Sequence, residues 1–485
     1  MIRRLLWLPL GVLAVLAVLL LPAPAKAASN GWSPTLLLTT KEQILSPAMT
    51  VDSLGRLYAF WTITHFATAS DKSTTQELEF AERANNVWSK PFGIYVAPSI
   101  NAPTAALDQF GTIHVFWQAG AGMLYAGSVP ARVAAIPENW SPLTPVDYAN
   151  QSSAVVSDNR GALDLVYPGP SSRGVLFSRS VDGGHTWSFP VTVSPAESGS
   201  AANFTRLAVG PDGTIHVVWT EFQLPNGWPP TGLYYSHSLD EGKTWSTPVQ
   251  VAGAGFSQAN VLAGPNGLVH VAWNGQSGVV GRYDRWSTDN GKSWSKPAIL
   301  LVPLTGPVDV GGSTGPPGLV MDSSGGVHLL FEEGNRVWHS EWKSGHWGNP
   351  EYVPSGDETG LPPPTEGIAT NVRHIEQPVL AITRGNELTA IFWDERPGIN
   401  RLWAVTKRLD TPTTPVQGFA VPTATPIPTP SPSPTPVDPI NPRDSGMLPA
   451  SSVPMDSRLL TFIWLVPILG LFAGIIGIRY WLVNR

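Results

Sequence analysis

Acids, arginines and a histidine gather at two kinds of place in this chain. One is just after an apolar run that ends in an aromatic residue: Glu221, Asn274, Glu332, Glu333, Asp394, Glu395 and Arg396. The other is just before the next apolar run: Arg206, Arg373, His374 and Glu376. Two carboxylates facing each other across a cleft can act as acid and base, or acid and nucleophile, in glycoside hydrolysis. Guanidinium groups such as those of Arg206, Arg373 and Arg396 can grip an anionic sugar through paired N–H donors. Trp228 lies with Phe222 and two prolines in the long connection 221–232, and offers a flat apolar platform for a sugar ring. The same residues also suit an ordinary solvated rim with aromatic caps, so no catalytic residue is assigned.

Other chemistries find no footing. The chain has no cysteine, which removes disulfides and thiolate metal sites. H-E-x-x-H, G-x-S-x-G and Gly-rich phosphate loops are absent. The net charge is −6 and there is no run of Lys or Arg, so nucleic acid is not an expected partner. Neither a metal nor a cofactor is expected. His114, His216, His270 and His328 each sit in an [IV]-H-[VL] core, at one equivalent position of four separate repeats. Such residues are spread around a ring instead of converging, which favours hydrogen-bonded structural roles.

Positioning these groups falls to a repeat. Seven segments read apolar strand, Asp/Asn/Gly turn, apolar strand: 49–61, 105–117, 155–167, 207–219, 261–273, 319–331 and 380–392. Their period of roughly 50–60 residues is that of propeller blades. A W-[SG]-x-P signature, relaxed to W-S-P, also occurs seven times, at Trp32, Trp88, Trp140, Trp187, Trp245, Trp294 and Trp347. The first copy precedes every hairpin and the last hairpin has none after it. Circular closure explains both facts. The N-terminal strand, about 31–39, is predicted to supply the outer strand of the last blade, beside the stretch 402–407, and so hide both edges.

Three of the signatures belong to a longer motif, S-x-D-x-G-x-[ST]-W-S-x-P. Its residues are Ser180, Asp182, Gly184, Thr186 and Trp187; Ser238, Asp240, Gly242, Thr244 and Trp245; and Ser287, Asp289, Gly291, Ser293 and Trp294. The chemistry is that of a tight turn: the Asp accepts backbone N–H groups, the Gly takes φ > 0, and the Trp folds back as an anchor. This motif is the Asp-box, or BNR repeat, and over about residues 30–409 the chain resembles the sialidase-like β-propellers. The resemblance implies an all-β propeller; the seven hairpins and seven tryptophan signatures make it seven-bladed, whereas the sialidase enzymes it resembles have six blades. A sialidase also needs an arginine triad, an Asp acid/base and a Tyr–Glu pair. Here 44–49 lacks the expected Arg, R-I-P occurs nowhere, and 374–406 contains no Tyr.

The ends complete the expected organisation. Residues 1–27 have a charged start, an apolar run and an A-x-A site, as in a signal peptide. The propeller spans 28–409, a Pro/Thr/Ser-rich stalk 410–457, one transmembrane helix 458–480 and a short cytoplasmic tail 481–485. A cysteine-free exported protein is expected of a prokaryote. In a propeller the A–B turns and the Asp-boxes share one face, so the longer B–C and D–A connections meet at the mouth of the channel on the other. The leading expectation is a membrane-anchored module, held outside the cell, that binds glycan or protein with its mouth face. An exo-acting sialidase-type hydrolase is the alternative, and an envelope assembly scaffold the second.

Overall fold

A computed structural model describes residues 30–420, apart from 68–72, 121, 150–151, 159, 196–198, 276–280, 305–314, 365 and 370. The signal peptide, most of the stalk and the transmembrane helix expected above lie outside the described residues. Seven antiparallel sheets follow one another around a ring. Blades 1 to 6 take 44–97, 101–148, 154–194, 200–252, 256–300 and 318–353, and blade 7 combines 374–408 with Leu36–Lys41. The strands of each blade are named A to D outward from the axis.

Closure occurs as the tryptophan count predicts. Leu36 pairs with Ala404, Leu37 with Trp403 and Thr40 with Arg401, and an isolated bridge joins Trp32 to Lys407. No single core exists. Seven apolar clusters each fill the gap between two neighbouring blades, so every blade is wedged by both of its neighbours. The B strands supply the largest pieces, among them Trp61, Trp117, Trp219 and Trp273, because alternate residues of an inner strand face opposite interfaces.

The Asp-boxes clamp blades together. In blade 3 Ser180 Oγ donates to Asp182 Oδ1 (2.8 Å), and Asp182 in turn accepts Thr186 N (2.9 Å) and Thr186 Oγ1 (2.6 Å). The copies at Asp240 and Asp289 repeat these bonds. Hydroxyl and amide donors from Thr244 hold Asp240 down to about 2, and Ser293 does the same for Asp289. The motif's tryptophans reach the preceding blade: Trp187 meets Phe116 edge-on, Trp245 meets Phe177 and Trp294 meets Tyr235. At Gly242 a Cβ would lie 2.0 Å from the Phe177 ring, so close inter-blade packing as well as the turn requires glycine there.

Two features depart from the sequence pattern. First, five A strands carry a bulge, with Ser46, Ala102, Phe204, Gln258 and Gln377 at positive φ. Pro47, Pro103 and Pro378 were its signal, since proline inside a strand marks a bulge. Second, the chain after Arg408 does not leave the propeller at once. Residues 409–420 cross the A–B turn face as a strap, through Leu409 N to Asn386 O, Thr414 N to Arg384 O, Ser53 Oγ to Gln417 O and Ala420 N to Gln109 O. Phe419 lies over Gly111 and packs on the cluster between blades 1 and 2. Residues 410–420, expected to begin the stalk, thus pack on the propeller. Phe419→Ala should cost about 1–2 kcal/mol, the value of a half-buried aromatic. Urea unfolding would read this, and an unmoved midpoint would mean that the strap rests on the face without bracing it.

Candidate functional site

The face opposite the strap carries the site. Arg160 of the blade 3 A–B turn pairs with Glu241 of the next Asp-box, and Asn290 of the blade 5 Asp-box donates to Asp212. A–B turns and Asp-boxes therefore share one face, and the A strands begin at the other, around the channel. A cavity of about 420 Å³ occupies the channel and is lined by the A strands of all seven blades.

The residues singled out from the sequence separate into four groups. The first is a hub on Asp394, which is fully buried. Arg396 Nε (3.3 Å), Arg401 Nε (3.2 Å) and Nη2 (3.0 Å), and Trp403 Nε1 (2.8 Å) all donate to it. Arg373 Nε adds an ion contact at 3.1 Å without hydrogen-bond geometry. Burial pulls Arg373 down to about 10, against the opposing attraction of Asp394. Three guanidinium groups do converge here, but the protein's own carboxylate occupies the point of convergence. Arg401 was missed from sequence: it faces Asp394 across the B–C strand pair, a relation that only the register reveals.

The second group spans blades 5, 6 and 7. Arg282, also missed, lies between Glu333 (3.0 Å) and Glu332 (3.6 Å), and Asn335 N donates to Glu332 Oε1 (2.8 Å). His374 Nδ1 meets Glu376 Oε1 at 2.8 Å, while Glu376 Oε2 is buried without a partner. Glu395 stands opposite His374 in the sheet and is exposed. Burial pushes Glu332 up to about 7, with Arg282 opposing and Glu333 reinforcing the shift. The Glu376 hydrogen bond raises His374, against its burial. These acids lie on one side of the channel and do not face each other across it.

A carboxyl raised by folding adds stability that is complete below its usual value of 4.5 and is lost as pH climbs through about 7. Glu332→Gln should therefore unfold at higher urea than wild type above that pH and at the same urea below 4.5. Equal midpoints on both sides would show that the carboxyl is not held near neutrality.

The third group lies on blade 4. Glu221 accepts Trp219 Nε1 at 3.0 Å. Trp228 is 52% exposed and meets the buried Phe222 at 6.2 Å with the rings tilted by 30°, and Phe222 in turn meets Phe204 at 6.0 Å. This forms an aromatic ridge running from the bulge of the A strand to open solvent. Arg206, two residues beyond Phe204, stands apart as the fourth group and lines the channel. Asn274 belongs to none of them: it is buried, and its amide donates to Gln258 Oε1 and Gly315 O, bracing the bulge of blade 5.

The repeated histidines are buried and locally bonded. His114 meets Asp108, His216 meets Tyr235, His270 meets Asp284, and His328 meets Asp322 and His339. Among the described residues one trio, Asp322, His328 and Glu341, has ligand atoms within 4.8 Å of one another. Asp322 there holds its own turn, accepting Ser324 N and Gly326 N as well as His328, which gives the trio a structural reason.

No family model matches the sequence, and no curated protein matches it. Solved structures share the fold. Polysaccharide lyase Uly1 is similar with a TM-score of 0.51 at 11% identity, over 80% of this chain and 95% of that one. The NanB sialidase from Streptococcus pneumoniae gives 0.44 at 12%, over 78% and 71%. The alpha-L-arabinanase of Penicillium chrysogenum gives 0.43 at 14%, over 78% and 98%. At such identities the likeness is one of architecture, and the chain is a seven-bladed β-propeller.

Proposed function

We propose that this protein is a carbohydrate-binding propeller that takes a glycan on its mouth face. The observation that carries this reading is Trp228, whose exposed ring is backed by the buried Phe222 and the half-buried Phe204 at the bulge of the blade 4 A strand. Stacking on such a surface needs no charge and tolerates many sugars. Asp394 holds three arginines, which argues against a sialidase-type carboxylate clamp at that point. Presentation from a membrane through 458–480 belongs to the same proposal, and residues 409–420 support it by running along the A–B turn face, away from the mouth.

A glycan array followed by titration calorimetry tests the binding. Trp228→Ala should weaken the retained glycan roughly tenfold or more without moving the unfolding midpoint. A blank array, or a Trp228→Ala protein that binds as before, would end this reading. Protease treatment of intact cells tests the exposure: a propeller that is never cleaved does not face outward.

One observation favours a second reading, a glycoside-cleaving enzyme. Glu332, held near neutrality beside the His374–Glu376 pair, has the properties of a general acid. Turnover of fluorogenic glycosides that disappears in Glu332→Gln would support it, and no turnover of any would exclude it.

A further inference from the structure

We propose that the central channel is an oxyanion-binding pocket centred on Arg206. The described residues that line the 420 Å³ cavity include five polar side chains, Ser46, Thr104, Ser153, Asn260 and Gln377, and a single charged one, Arg206. Its Nη1 donates to Thr205 O at 2.8 Å, and among the described residues no carboxylate forms an ion pair with it. A guanidinium has five N–H donors in a planar fork, so one bond leaves most of its capacity uncommitted among the described residues. The side chain is hemmed in by the channel wall yet remains partly exposed, because the surface it shows is that of the cavity.

An unpaired charge enclosed in this way is costly unless something replaces its lost hydration. Burial lowers Arg206 to about 10, which still leaves it charged near neutrality. Two uncharged donors stand ready on the wall. Ser153 Oγ, on the neighbouring blade, is buried without a partner. Gln377 Oε1 accepts Ser46 N at 2.8 Å, which leaves its NH₂ for another acceptor. The space would hold roughly a dozen waters at ~30 Å³ each, ample for a sulfate or a sugar-borne carboxylate. Among the described residues no carboxylate lines the cavity to repel it. On the far side, the strap bonds to the A–B turns of blades 1 and 2 through Gln417 O and Ala420 N. The pocket stands on these observations alone and does not depend on the glycan reading.

Equilibrium dialysis of labelled inorganic sulfate against the full chain tests it. We expect one saturable site per chain in the millimolar range or tighter. Arg206→Gln should weaken it roughly tenfold or more, and Arg206→Lys less. Ser153→Ala should weaken it about threefold. Circular dichroism confirms that each variant is folded, and competition by phosphate on the wild type gives a readout that needs no variant. No saturable uptake, or equal uptake by Arg206→Gln, overturns the pocket. A sulfated oligosaccharide and its desulfated form then separate the sources. Preference for the sulfated form that vanishes in Arg206→Gln assigns the pocket to an acidic glycan. Uptake of free sulfate without that preference assigns it to an inorganic ion. Trp228→Ala should leave sulfate uptake unchanged, so failure of the ridge and failure of the pocket are told apart.

Discussion

Asp394→Asn is expected to destabilise the protein by about 3–5 kcal/mol, the usual cost of breaking a buried ion pair from one side. Asp394 and Arg373 are both fully buried, so the variant would leave Arg373 charged, enclosed and without an acid partner. Arg396 and Arg401 are partly exposed and would turn toward water, which is why the cost falls mainly on Arg373. Asparagine keeps the shape and one carbonyl oxygen, so packing loss does not explain the result. Glu395→Gln, one residue along the same strand but exposed, should stay within about 0.5 kcal/mol. Urea unfolding of the two variants side by side makes the comparison. The cavity variant Asp394→Ala adds a second readout, since formate diffusing into the space should restore part of the lost stability. An Asp394→Asn protein within 1 kcal/mol of wild type would mean that the three guanidinium groups are hydrated after all. That outcome would reopen the hub as a place for a ligand's carboxylate.

The hub also shows where sequence stops being informative. Blade number and closure were legible because each rests on a local signal repeated in every blade: the W-S-x-P signature, and the apolar hairpin with its aspartate turn. The three Asp-boxes were legible for the same reason, and their bonds lie within a few residues of one another. Arg401 and Arg282 carried no such signal. Their roles arise from register, which places Arg401 opposite Asp394 in blade 7, and from the approach of one blade to the next, which sets Arg282 against Glu332 and Glu333. Asn274 failed in the opposite sense. Read as following a B strand, it lies inside one, Val269–Gly275, where Gln258 of the bulge and the carbonyl of Gly315 consume its amide. The strap was hidden by its own composition, because a proline-rich segment reads as extended whether it is solvated or laid on a surface. Thr411 Oγ1 to Gly385 O and Asn386 Nδ2 to Thr413 Oγ1 show what holds it, namely hydrogen bonds to the turns of the blades it crosses.

Closure predicts the second large effect. Trp32 is 1% exposed in the cluster between blades 6 and 7, meets His339 edge-on at 5.5 Å, and donates Nε1 to Glu351 at 3.1 Å. Lys407 lies over its ring at 5.7 Å. Trp32→Ala should therefore cost about 3–5 kcal/mol, as for other buried aromatics. Deleting residues 30–41 should do more than the sum of such losses. It strips the outer strand from Ile399–Arg408 and leaves that strand's backbone donors and acceptors without partners. The ring would then be held between blades 7 and 1 by side-chain packing and a few polar contacts, such as Ser46 N to Gln377 Oε1 and Arg83 to Glu387, and the bare edge would seek a strand from another molecule. Size-exclusion chromatography should find concentration-dependent oligomers of the deleted protein, and urea should unfold it over a broader, earlier transition than wild type. A synthetic peptide of 30–41 supplied in excess should return it toward the monomer, because the edge accepts the strand it was built for. A deleted protein that stays monomeric with an unmoved midpoint would show that the seven blade interfaces close the ring unaided. The N-terminal strand would then be an ornament on the last blade, and the seven-fold count of tryptophan signatures would need another cause.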